Sequence, residues 1–94
     1  MKKLFDKSSP NKLSKEWLLK QITDTEFVIL GDKKITHCTI TVKNTFSFTG
    51  ESVCVVPENY SKAIGEEIAF DDAFDKMWVC YGFALAQFLY EQET

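Results

Sequence analysis

The chain has no arginine: all eleven of its basic residues are lysine. Arginine is the usual bidentate reader of phosphate and guanine. Its absence, with a formal net charge of −3, argues against a domain that binds nucleic acid directly. Histidine occurs once, at His37. Cysteine occurs three times, at Cys38, Cys54 and Cys80, with no CxxC pair. That number and spacing exclude a zinc site and a disulfide framework, and fit three buried thiols in a reducing cytoplasm. No HExxH, GxSxG, P-loop or GxGxxG is present. Long apolar runs are also missing. The longest charge-free run, Met77 to Tyr90, is too short to span a bilayer, so no membrane is expected. At 94 residues the chain is too short for a two-domain cleft or a repeat array.

What is present fits one globular domain, with 45% hydrophobic, 14% aromatic and 27% charged residues. The charge is divided. Residues 1–20 carry six lysines against Asp6 and Glu16. Residues 58–75 carry six acids against Lys62. Residues 1–12, polar and lysine-rich, read as a flexible leader, and residues 13–94 as the domain.

Ser14 is placed to cap a short helix, with Leu13 and Leu18 as its hydrophobic staple. That helix is expected to run to about Thr23. A β-rich stretch, residues 25–30, follows, and Gly31-Asp32-Lys33-Lys34 reads as a turn. Residues 35–42 alternate, with Cys38, Ile40 and Val42 on one face and His37, Thr39 and Thr41 on the other. After a turn at Lys43-Asn44, Phe46 and Phe48 begin a third strand. Its apolar positions then change parity, to Val53 and Val55, with Gly50 between. That pattern predicts a bulge or bend near Gly50. From about Ser61 to Glu91 the period is helical, with Phe70, Phe74, Met77, Tyr81, Ala84 and Phe88 on one stripe. Gly65 and Gly82 are places where so long a helix could bend. The expected fold is α+β: a short N-terminal helix, about three antiparallel strands, and a long C-terminal helix packed on them.

Two features of that helix exceed what one sheet needs. Val79, Phe83, Ala86 and Tyr90 make a second apolar face, with Leu89 at its edge. Three occupants are open: the N-terminal helix through Trp17, Leu18 and Ile22; a second copy in a homo-oligomer; or a partner or ligand. Glu67, Asp71 and Asp75 recur every four residues, as a solvated face or as an acidic ridge that meets a basic surface. Lys76 interrupts the ridge. The chemistry-bearing residues do not assemble into an active site on paper. His37 and Cys38 point to opposite faces of a strand. Asp71 and Asp72, as neighbours on a helix, diverge rather than converge on a metal. No enzyme activity, metal or other cofactor is expected.

The segment Thr36 to Tyr60 carries Thr49-Gly50-Glu51-Ser52, Cys54, Pro57 and Asn59. It continues into Ile64-Gly65, Ala73-Phe74 and Lys76-Met77-Trp78. Over about residues 13–90 the chain resembles a family of small tailed-phage proteins named for gene products forty-nine and sixty-six of two phages. The family turn is Asn-Gly where this chain has Asn44-Thr45, so a longer or different turn is expected here. The resemblance implies an accessory protein of the infected host's cytoplasm without established catalysis. By analogy with small phage-encoded domains, it points to inhibition of a host defence or host enzyme by direct protein binding. The alternative is an oligomer that sequesters a small nucleotide signal near Gly50, with Lys43, Thr49, Glu51, Ser52 and Tyr60 as ligands. A minor enzyme or a virion component is a third possibility.

Overall fold

The computed structural model describes Phe5 and residues 13–93. The elements are α1 (Lys15–Leu19), β1 (Ile22–Leu30), β2 (Ile35–Val42), β3 (Ser47–Val53), a 3-10 turn (Pro57–Asn59) and α2 (Lys62–Glu93). The strands form one antiparallel sheet in the order β1-β2-β3, and α2 packs across β2 and β3. This is the expected α+β architecture. The leader at residues 1–12 lies outside the described residues except for Phe5. That ring is buried, stacked on Trp17 at 5.4 Å and tilted against Phe88 at 5.9 Å.

The core follows from alternation on β2. Thr36, Cys38, Ile40 and Val42 are buried beneath α2, and their odd-numbered neighbours face outward. From the helix, Ala69, Ala73, Phe74, Met77, Tyr81 and Leu85 are buried. The two alanines were not on the expected stripe. They let the helix axis come close to the sheet, and Gly50 shows how close. A Cβ there would lie 2.3 Å from the Ala73 nitrogen and 2.4 Å from the Ala69 oxygen.

The expected bend at Gly50 is therefore corrected. β3 pairs with β2 without a slip from Ser47 to Val53. The glycine is needed because helix backbone sits on it, not because the strand turns there. The parity change has another cause: Val53 and Val55 are exposed and belong to no core face. The sheet's one register shift lies in β1, between Ile22 and Asp24.

Three other expectations change. α1 stops at Leu19, because Ile22 is already pairing with Val42 as the first residue of β1. Its start agrees with the sequence, for the Ser14 hydroxyl accepts a bond from the Trp17 N–H at 3.1 Å. α2 runs unbroken through both glycines to Glu93. The cysteines are not all buried: Cys38 is, Cys54 is half-buried, and Cys80 is exposed.

The Asn44-Thr45 turn is a three-residue loop. Thr45 N–H donates to the Val42 carbonyl at 2.8 Å, and Val42 N–H donates to the Phe46 carbonyl at 3.0 Å. Thr45 takes φ = 74°, the left-handed conformation that follows a type I turn in such loops and that favours glycine. The Asn44 side chain accepts from Phe46 N–H at 2.9 Å and holds the turn.

Candidate functional site

The long helix reaches beyond the sheet. Thirty-two residues at 1.5 Å each span about 48 Å, against a sheet of strands no longer than nine residues. α1 covers part of the overhang, but on the core side: Trp17 meets Tyr81 edge-on at 5.7 Å, and Leu18 is fully buried. Among the described residues, nothing packs over the opposite side. Val79, Phe83 and Tyr90 are 73%, 64% and 62% exposed, with exposed Ala86 between them and Leu89 on the flank. Of the occupants weighed from sequence, the N-terminal helix is thus excluded for this face, since Trp17 and Leu18 pack elsewhere.

Glu67, Asp71 and Asp75 are all exposed beside this face. Asp72, their neighbour, has a different task that sequence did not reveal. Its Oδ2 accepts the Glu51 N–H at 3.0 Å. One turn on, the Lys76 ammonium donates to the Thr49 carbonyl at 2.8 Å and lies 3.7 Å from Asp72. An edge strand exposes unpaired N–H and C=O groups that invite pairing with other chains. On β3, two of these groups are taken by the helix's own side chains. The signal was present in the Asp72–Lys76 spacing, but only the structure says what the pair touches.

The residues suggested as a nucleotide site are dispersed. Lys43 sits in the β2–β3 turn, roughly 24 Å along the strand from Thr36. Thr49 and Glu51 lie on the outward sheet face, where Glu51 approaches His37 at 3.8 Å. Only Ser52 and Tyr60 come together. They line a cavity of about 120 Å³ between the start of α2 and the inner face of β2 and β3. Lys34, Thr36, Asn59 and Ser61 complete its polar wall. A cavity of that size is well below the roughly 300–1,000 Å³ of usual small-molecule sites, so it does not enclose a nucleotide within one chain.

The cysteines and the histidine do not converge. Burial, with the Glu66 carboxylate adding to it, pushes the Cys38 thiol pKa up. A raised pKa leaves less thiolate, the opposite of what a nucleophile needs. Cys54 donates its thiol to the Val56 carbonyl at 3.0 Å. Among the described residues, no three His, Cys, Asp or Glu side chains group as a metal site would. No described helix is long and apolar enough to cross a membrane.

The family model for the phage protein (N4 Gp49/phage Sf6 gene 66) family matches residues 10–89. The chain belongs to this family. Comparison with curated proteins and with solved structures gave no match. The matched span of this phage-family chain takes in the whole sheet, the cavity and α2 almost to its end. It contains both glycines that a close approach requires. Gly50 is one. Gly65 is the other, where a Cβ would fall 2.6 Å from the Thr36 hydroxyl.

Proposed function

We propose that this phage protein is a non-enzymatic accessory factor that works in the host cytoplasm by binding a host protein, inhibiting a defence system or a host enzyme. The observation that carries this reading is the bare apolar face of α2 at Val79, Phe83 and Tyr90. Large apolar side chains set in a row on the far side of a helix do nothing for the core of this chain. Contiguous exposed apolar surface on a soluble domain marks interaction sites. Two of the three are aromatic, and Tyr and Phe are enriched at interface centres. The exposed carboxylates of Glu67, Asp71 and Asp75 favour a partner with a basic rim and would speed encounter with it.

The test is affinity capture from host extract with the native chain and a Val79→Asp/Phe83→Asp variant as baits. Both positions are well exposed, so the variant should unfold at the same temperature as the native chain. The reading expects one stoichiometric host protein on the native bait and none on the variant. Equal recovery on both baits, or no partner at low salt, overturns it.

A further inference from the structure

The two edges of the sheet are finished differently. On β3, Lys76 takes the Thr49 carbonyl and Asp72 takes the Glu51 N–H. On β1 nothing comparable is found. Lys43 N–H donates to the Gln21 carbonyl at 3.0 Å, and Val42 N–H to the Phe46 carbonyl at 3.0 Å. Odd residues of β2 therefore bond towards β1 and even ones towards β3. Asp24, Glu26, Val28 and Leu30 stand opposite those odd residues. The N–H and C=O groups of Thr25, Phe27 and Ile29 thus point away from the sheet, and no described residue pairs with them.

Edges left open in native proteins are short, charged, bulged or covered. β1 is nine residues long, keeps its register from Asp24 to Leu30, and exposes Val28, Ile29 and Leu30. Thr25, Phe27 and Ile29 stand opposite Ile40, Cys38 and Thr36, on the core side of the sheet. Yet Ile29 is 40% exposed, because α2 packs across β2 and β3. Phe70 and Phe74 lie two residues to either side of Asp72, about 200° round the helix, and so lean towards β1. Phe70 stacks on Phe74 at 5.7 Å, and Phe74 tilts against exposed Trp78 at 6.2 Å. The core side of β1 is the floor of an apolar shelf with an aromatic wall, open at the strand edge among the described residues.

We propose that β1 pairs antiparallel with β1 of a second copy, joining two three-stranded sheets about a two-fold axis at Phe27. Outward-bonding residues must face one another, so the register can shift only in steps of two. With Phe27 opposite the partner's Phe27, Thr25 faces the partner's Ile29, and each such facing pair exchanges two bonds. Glu26 then faces the partner's Val28, and Asp24 the partner's Leu30. The acidic half of each strand lies against the apolar half of the other. A step one way sets Glu26 against the partner's Glu26, and a step the other way sets Asp24 against the partner's Asp32. Like charges directly opposite are destabilising. This self-complementarity favours a second copy over a strand of another protein. The sealed β3 edge leaves one open edge per copy, which closes the assembly at two. Val79 follows Asp72 by seven residues, about two turns, and so lies on the β3 flank. The apolar face of α2 stays free in the dimer, and the two surfaces stand or fall independently.

Sedimentation equilibrium of the purified chain alone, with residue-resolved amide exchange, tests the pairing. Twice the 10.8 kDa protomer mass is expected, with the Thr25, Phe27 and Ile29 amides protected in the dimer and losing that protection on dilution. Val28→Glu should weaken association about tenfold, since the new carboxylate meets the partner's Glu26 and the axis repeats the clash. Adding Glu26→Lys should restore association. Both side chains are exposed, so these variants should unfold at the native temperature. Ile29→Pro should also give the protomer mass, because the N–H it removes bonds nothing within the described chain. The pairing is overturned by a protomer mass for the native chain at millimolar protein, or by a dimer that Val28→Glu leaves intact. It is equally overturned by a dimer lost in Val79→Asp/Phe83→Asp, or by β1 edge amides protected in a monomer, which would mean that the chain covers its own edge.

Discussion

Thr45→Gly should stabilise this protein. Thr45 holds φ = 74° as the last residue of the Lys43-Asn44-Thr45 loop. An L-residue in the left-handed region costs about 1–2 kcal/mol, and a β-branched one sits at the costly end. Glycine removes that cost but adds freedom to the unfolded chain, worth about 0.5–1 kcal/mol. Thr45 is exposed, and among the described residues its side chain makes no bond that would be lost. The loop's bonds come from backbone groups and from Asn44, which stay. The net gain is about 1 kcal/mol, or an upward shift in Tm of about 4–8 °C for a domain of this size. Urea unfolding should show a higher midpoint with the same slope. Thr45→Ala is the control: alanine keeps the left-handed penalty, so it should leave stability within about 0.5 kcal/mol. A Thr45→Gly chain no more stable than the native one would refute the reasoning.

Other expectations follow from the same geometry. Gly50→Ala should destabilise by about 3 kcal/mol or more, because the new methyl meets helix backbone that cannot move aside; unaltered thermal unfolding would contradict this. Asp72→Ala should cost about 1–2 kcal/mol through the lost bond to Glu51 N–H. Lys76→Ala should add less than its own single effect on top of that, since the two side chains are coupled in a double-mutant cycle. The raised pKa of buried Cys38 gives stability that is complete below about pH 9 and declines above it, because the unfolded thiol ionises first. Cys38→Ala should remove the onset of that alkaline decline in pH-dependent urea unfolding.

The sheet and helices were legible because their periods are strong. β2 alternates from Cys38 to Val42, and α2 repeats its apolar stripe for about five turns, from Phe70 to Phe88. The Ser14 cap was legible because its side-chain chemistry is local. What could not be read is what depends on distance between elements. Gly50 looked like a strand defect because a sequence does not show that Ala69 and Ala73 press on it. Asp72 was read only as diverging from Asp71 on the helix, since nothing local says that Glu51 N–H lies within reach. The apolar face at Val79 and Phe83 was visible as an excess, while its freedom from α1 depended on where Trp17 packs. Ser52 and Tyr60 were picked for a bend that does not exist, yet the fold brings those two to one cavity and carries Lys43 to the far end of the sheet.

The central claim is that the bare face of α2 meets a host protein. Its most direct test is the native mass of the complex purified from phage-infected cells through the tagged native chain. The account predicts a mass that is not a multiple of the 10.8 kDa protomer, with the excess supplied by one host protein and lost in Val79→Asp/Phe83→Asp. A mass equal to one protomer, or to a whole number of protomers alone, would contradict it.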